Sequence, residues 1–209
     1  MTLPRFNEAN YAHFVTTKTF ENKKLFEDEA CCEIVLNDVD FYREKLGFKL
    51  LGYVIMPNHL HLIVWWDVER QKSLTISKII QAIKSHSARQ IVDYLYTVGR
   101  RGPLTSPKNS RLGQGTQATH DGMLASLRGD RVTRGEYPHR RMSEQQYKIW
   151  QPSFYDFNIY SEEKLNQKLN YIHLNPVRAK LCENPEDWLW STARFYLTGE
   201  RGNIRVDIL

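Results

Sequence analysis

Two short constellations in this chain have residue types and spacing that could do chemistry. The first is His59-Leu60-His61, inside the apolar run Tyr53 to Trp66. In a strand successive side chains alternate faces, so His59 and His61 point one way and Leu60, Leu62 and Val64 the other. Two neutral imidazoles side by side on a sheet face are either an ordinary half-exposed surface or the beginning of a metal site, and two ligands seldom make a site unaided. The second constellation is Tyr171 and Asn175, in Leu169-Asn170-Tyr171-Ile172-His173-Leu174-Asn175-Pro176. Four apart on a helix, they lie on one face, so a phenol and an amide are presented together. The plainer alternative is an amphipathic helix stopped by Asn-Pro, with Asn175 serving its end.

The elements that must position these residues follow from pattern. Tyr11 to Phe20 is rich in aromatic and β-branched residues and reads as a first strand. Ile34, Val35, Val39, Phe41 and Tyr42 recur at helical spacing from about Asp28 to Lys45, with Gly47 placed as a C-cap. Lys49 to Met56 is a second strand, and Pro57-Asn58 is turn chemistry that makes the histidine strand its antiparallel neighbour. Ile76, Ile79, Ile80, Ile83, Ile91 and Leu95 mark a second helix within Leu74 to Tyr96. Tyr147 to Ile159 reads as a fourth, irregular strand that Pro152 assigns to an edge or a bulge. Ser161-Glu162-Glu163-Lys164 caps the helix that leads to Tyr171, and Leu181 to Tyr196 packs back as a tail, Pro185 preceding a short helix. The order is strand, helix, strand, strand, helix, loop, strand, helix. It predicts an α+β, ferredoxin-like (RRM-like) antiparallel sheet with helices on one face and an added C-terminal helix carrying the tyrosine.

Length suits one domain, residues 1–209, with an insertion at about 100–141 and a tail at about 182–209. Arg100 to Arg141 holds six of the eleven glycines and nine Lys or Arg against three Asp or Glu, so the basic balance of a chain with net charge +5 resides there. Such a stretch is a solvated loop, a DNA-binding element, or both. The positive charge, with 12% aromatic residues, favours a polyanionic partner, most simply nucleic acid. Nothing reads as a signal peptide or membrane span, which places the chain in the cytoplasm. Cys31, Cys32 and Cys182 lack the spacing of a zinc or redox motif and read as reduced thiols.

Gly52-Tyr53-Val54-Ile55-Met56-Pro57-Asn58-His59-Leu60-His61-Leu62-Ile63, followed far downstream by Tyr171-Ile172-His173-Leu174-Asn175-Pro176-Val177-Arg178-Ala179, closely resembles the single-tyrosine HUH transposases. Within them it is most similar to the bacterial REP-associated tyrosine transposases, which the stretch around Trp150 and Phe154-Tyr155-Asp156 and the tail Asp187-Trp188-Leu189-Trp190-Ser191-Thr192 also fit. The resemblance runs from about Tyr11 to Tyr196, apart from Arg100 to Arg141. It implies that His59, His61 and Asn175 hold a divalent ion, Mg²⁺ or Mn²⁺, and that Tyr171 is the nucleophile. It further implies cleavage of single-stranded DNA beside a hairpin, with a 5′-phosphotyrosine and a free 3′-OH as products. A nucleoid-associated bacterial protein, monomeric rather than dimeric, is expected on the same basis.

The chemistry is sound on its own terms. A phenol with an ordinary pKa near 10 is a weak nucleophile at neutral pH and gains from a cation that neutralises and orients the phosphate. Lys84, Arg89, Arg178 and Lys180 are the candidate DNA contacts. His173 points away from the Tyr171 face and reads as structural; Tyr94, Tyr96, Tyr155 and Tyr160 lack the motif context of Tyr171 and read as core or surface. Two other functions fit the same residues: a non-catalytic nucleic-acid-binding module on the same fold, and a metal-dependent phosphodiesterase in which water attacks.

Overall fold

The histidine hairpin forms as its alternation dictates. Strands β2 (Lys49–Met56) and β3 (His59–Trp65) pair antiparallel across Pro57-Asn58, with Met56 opposite His59 and Val54 opposite His61. The computed structural model describes residues 11–101 and 148–208. Strand β1 (Ala12–Lys18) pairs antiparallel with β3, placing Thr16 opposite His61 and Lys18 opposite His59. Strand β4 (Tyr155–Ile159) pairs antiparallel with the other side of β1, Tyr155 opposite Thr16 and Phe157 opposite Phe14. The sheet order is β2-β3-β1-β4, the arrangement of a ferredoxin-like fold.

Helices α1 (Glu29–Leu46) and α2 (Ile76–Arg101) pack on each other and cover one face. The Asp28 carboxylate accepts the Ala30 N–H at the start of α1, and Gly47 ends it in the left-handed region at φ 72. Leu60, Leu62 and Val64 of β3 join Val35, Val39, Ile79, Ile80 and Ile83 in the core beneath these helices. Cys31 and Cys32, free and buried there, have their thiols pushed up to about 12 by burial.

Helix α3 (Glu162–Arg178) lies on the other face, so the added helix of the expected fold makes the sheet a middle layer. Leu169 and Ile172 of α3 meet Leu51, Val54, Met56 and Ile63 in a second, smaller core. Covered on both sides, β2 is buried almost throughout, which is why it reads as a continuous apolar run rather than an alternating one. Gly52 permits the approach: a Cβ there would stand 2.8 Å from Leu169 Cδ2 and 3.1 Å from Ile172 Cδ1.

The tail seals the outer edge of β2. The Ile55 N–H donates to the Trp190 carbonyl, the Thr192 N–H to the Tyr53 carbonyl, and the Asp207 N–H to the Leu50 carbonyl. A strand edge that would otherwise present open backbone groups is thereby paired. The tail contains the short helix α4 (Ala193–Thr198) and a 3₁₀ turn at Pro185–Asp187.

Three boundaries differ from expectation. The fourth strand starts at Tyr155; of the stretch expected upstream, the described residues from 148 on make an isolated bridge, Trp150 to Thr19, separated from the strand at Pro152, which has no N–H to give the ladder. The first strand is shorter, Ala12–Lys18 instead of Tyr11 to Phe20. Helix α3 is not stopped by Asn175-Pro176 but runs on to Arg178, since the proline lacks a single donor near the helix end and Ala179 N–H still reaches the Asn175 carbonyl. The basic insertion expected at about 100–141 lies almost wholly outside the described residues.

Candidate active site

The pleat puts His59 and His61 on the α3 face, opposite the core formed by Leu60 and Leu62. From α3, Tyr171 reaches back toward them: its ring lies edge-on to His61 at 5.6 Å between centroids, and edge-on to Phe14 at 5.9 Å. His59 and His61 stand 4.8 Å apart, centroid to centroid, and Phe14 stacks beneath His61 at 5.3 Å. These side chains border an open cavity of about 540 Å³ whose lining also includes Thr16, Lys18, Tyr155 and Lys168. Tyr171 is 40% exposed, accessible to a ligand in that space.

Both imidazoles are oriented through Nδ1. Asn58 Oδ1, an oxygen that can only accept, lies 2.7 Å from His59 Nδ1, so that nitrogen carries the proton. Thr16 Oγ1 lies 2.7 Å from His61 Nδ1. His61 Nε2 is buried with no hydrogen-bond partner among the described residues. A buried N–H left unpaired is costlier than an unpaired acceptor, which favours the tautomer with the proton toward Thr16 and the Nε2 lone pair open. Burial, reinforced by Lys18, lowers the His59 pKa to about 4. Burial first, then His59, Lys168 and Lys18, lowers that of His61 to about 3. Both rings are therefore neutral at physiological pH and able to donate a lone pair.

A divalent ion fits this pair. An imidazole with Nδ1 held by an oxygen and Nε2 free is the usual arrangement of a histidine ligand and its supporting hydrogen bond. Asn175, one turn beyond Tyr171 on α3, has a buried Nδ2 that also lacks a hydrogen-bond partner among the described residues, although Asn175 does not line the cavity itself. Among the described residues no cluster of three His, Cys, Asp or Glu side chains exists. An ion here would thus rest on the two imidazoles, with an amide or phosphate oxygen completing its coordination.

The candidate DNA contacts separate. Arg178 is exposed, with its guanidinium carbon 5.9 Å from the Tyr171 ring centroid. Lys180 is exposed just past the helix, in the left-handed region at φ 58. Lys84 and Arg89 belong to α2 on the opposite face, and the Lys84 ammonium donates to the carbonyls of Gln151 and Ser153, fastening the segment before β4. His173 is buried, its Nε2 2.9 Å from Thr192 Oγ1, and burial lowers its pKa to about 4; it ties α3 to the tail.

Phe14, Thr16 and Lys18 of β1, Tyr155 of β4 and Lys168 of α3 are site residues that the sequence did not disclose. Lys168 precedes Tyr171 by three positions, and the stripe Lys168, Tyr171, Asn175, Arg178 keeps helical spacing, a signal present in the sequence but shared by any amphipathic helix. Tyr155 reaches the cavity because β4 pairs with β1, a long-range pairing that local pattern does not specify.

Comparison with known proteins finds likeness in sequence over part of the chain and in fold over all of it. Residues 7–103, carrying β1 to α2 and both histidines, match the model of the IS200-like transposase family. That match spans 97 of the 209 residues and makes this part of the chain similar to the family; it includes the His59 and His61 motif and ends before the Tyr171 motif. Among solved structures it is similar to a REP-associated tyrosine transposase bound to a REP hairpin, with a TM-score of 0.59 and 16% identity over 100% of this chain and 93% of that one. At this identity the likeness is one of fold. A putative transposase from Deinococcus radiodurans R1 aligns at 14% identity over 82% of this chain and 95% of that one, but at a TM-score of 0.44 it carries no argument. No curated protein matches the chain. No helix among the described residues is long and apolar enough to cross a membrane.

Proposed function

We propose that this protein is a transposase of the IS200-like kind, which cleaves and rejoins single-stranded DNA beside a hairpin through a covalent bond to Tyr171. The observation that carries the reading is the meeting of an exposed phenol with two neutral, oriented imidazoles in one open cavity, all within a single chain. That single-chain assembly supports a monomer as the active unit. The hairpin comes from the resemblance of the two motifs, and accords with what the REP-associated relative holds.

In the forward step the Tyr171 oxygen attacks the scissile phosphorus in line. A P–O(Tyr) bond forms, the P–O3′ bond breaks, and the phenolic proton passes in net, through solvent, to the departing 3′-oxygen, which leaves as a hydroxyl. His59, His61 and the Asn175 amide would hold a Mg²⁺ or Mn²⁺ ion, which when bound supplies Lewis-acid neutralisation of the phosphate. Thr16 and Asn58 keep the imidazoles in the ligating tautomer, and Arg178 and Lys168 bring positive charge to either side of the phenol. The phosphotyrosyl ester conserves the energy of the broken bond, so a 3′-OH from the same or another strand reverses the step and joins the strands.

The test is incubation of the protein with an end-labelled hairpin carrying a single-stranded flank, in Mn²⁺, followed by denaturing electrophoresis. A label-bearing, SDS-resistant adduct is expected with wild type and its absence with Tyr171→Phe. An adduct that persists in Tyr171→Phe moves the nucleophile elsewhere. Cleavage without adduct makes the protein a phosphodiesterase, and binding without cleavage makes it a recognition module.

A further inference from the structure

At its β4 side the cavity borders a row of aromatic side chains to which the nicking chemistry assigns no task. Tyr155, 42% exposed, lines the cavity opposite Thr16, and Phe157 follows on the same face about 7 Å further along the strand. Tyr160, 60% exposed, turns back so that its ring centroid is 6.4 Å from that of Phe157. A cation sits beside this row: Lys168 Nζ, which lines the same cavity as Tyr155, lies 4.6 Å from the Phe157 centroid and 4.5 Å from that of Phe14. Among the described residues it has no carboxylate partner, and burial, then the like charge of Lys164, lower its pKa. An ammonium held over two rings without a counter-ion invites an anion. Strand β4 is the sheet edge, paired only with β1, so the outer side of the row is open among the described residues.

We propose that Tyr155, Lys168 and Tyr160 form a seat for the unpaired strand flanking the cleavage point, the two phenols stacking successive bases and the ammonium taking the phosphate between them. The ligand class follows from exposed rings gathered around a cation that has no counter-ion among the described residues. Bases inside a duplex have both faces occupied by their neighbours, whereas an unpaired strand offers each base face to an aromatic ring and its backbone to a lysine. A protein partner of acidic character would satisfy Lys168 but would leave two phenols of the same row without a role. The seat is continuous with the cavity that holds Tyr171, and it rests on the reading of that cavity as the place where DNA is cut. It selects single-stranded DNA by its bases' faces and not by their hydrogen-bonding edges, so it carries little sequence preference.

The experiment measures binding alone, in the Tyr171→Phe protein, by fluorescence anisotropy of two labelled probes: a DNA hairpin with an eight-nucleotide oligothymidine flank (a length on the order of one single-strand binding site) and the same hairpin ending blunt. Tyr155→Ala and Tyr160→Ala are each expected to weaken the flanked hairpin on the order of tenfold while leaving the blunt one unchanged. Lys168→Gln reduces the salt dependence of flanked-hairpin binding by about one phosphate contact, and Lys168→Arg restores it. Tyr155→Trp retains affinity, and the indole emission it adds is quenched by the flanked probe. Equal losses on both probes, no loss on either, or added emission in the Tyr155→Trp protein that is indifferent to the flank overturns the proposal. Because no step depends on cleavage, a protein that binds the flank through these residues yet never forms an adduct refutes the nucleophile assignment and leaves the seat standing. The reverse result does the opposite.

Discussion

Thr16→Val tests the orientation of the site more sharply than removal of a histidine, because it leaves all three proposed ligands in place. Thr16 sits in the middle of the sheet opposite His61, and its Oγ1 is 2.7 Å from His61 Nδ1. Valine has the same shape and a β-branched side chain suited to the strand, so the change is confined to one hydroxyl. Loss of the hydrogen bond costs about 1 kcal/mol of stability, since His61 is 3% exposed and water cannot replace the lost partner. The larger effect falls on the ion. With no oxygen to hold Nδ1–H, the ring is free to take the tautomer that puts the proton on Nε2, and losses of this kind weaken metal binding roughly 10- to 100-fold, equivalent to about 1.4–2.7 kcal/mol. Titration of free Mn²⁺ by electron paramagnetic resonance reads the affinity, and thermal melting in EDTA reads the stability separately. Thr16→Ser, which keeps the hydroxyl, restores Mn²⁺ binding. Wild-type Mn²⁺ affinity in Thr16→Val would refute the argument that Thr16 sets the His61 tautomer, and with it the assignment of Nε2 as the donor atom.

Two further perturbations probe the supports of the site. Gly52→Ala drives a methyl group to 2.8 Å from Leu169 Cδ2, so overpacking of about 1–3 kcal/mol lifts α3 and the phenol it carries. A lowered melting temperature and slower adduct formation are expected with Mn²⁺ affinity retained; an unchanged adduct rate would mean that contact with β2 does not place Tyr171. Acid should destabilise the ion-free fold through His61 and His173. Their folded pKa values, about 3 and about 4, lie below the ordinary 6.5, so the unfolded chain binds protons first as the pH falls. Stability from these groups is complete above pH 6.5 and is lost between there and the folded values, amounting to about 2 kcal/mol for each at pH 5. Urea midpoints in EDTA at pH 7.5 and pH 5 measure it, and a midpoint indifferent to pH would show that the two rings are not buried neutral.

Much of the framework was legible because it rests on local rules. Alternation placed His59 and His61 on one face and Leu60, Leu62 and Val64 on the other, and a period-two pattern can do so without knowledge of what covers either face. The Asp28 and Gly47 caps and the Pro57-Asn58 turn are likewise short-range chemistry, and the element order sufficed for the ferredoxin-like sheet. Boundaries near prolines were less legible, because the cost of a missing N–H depends on whether neighbouring groups find other partners. At Pro152 the ladder breaks between Tyr155 and the Trp150 bridge, although Gln151 N–H still reaches the Lys18 carbonyl; at Pro176 the helix ends soon enough to absorb the loss.

What the sequence determined by itself was therefore the inventory: two imidazoles on a common face, a phenol and an amide on a common helix face, and the strands and helices to carry them. Only the tertiary structure decided that the two faces meet. Helix α3 crosses the sheet on the side away from α1 and α2 because Gly52 leaves room for Leu169 and Ile172, and because the tail ties His173 and β2 together through Thr192. These contacts join residues far apart in the chain, and no local propensity encodes them. The same long-range pairing brings Tyr155 on β4 into the cavity and sends Lys84 and Arg89 to the other side of the sheet, distinctions invisible while each residue was judged by its own neighbours.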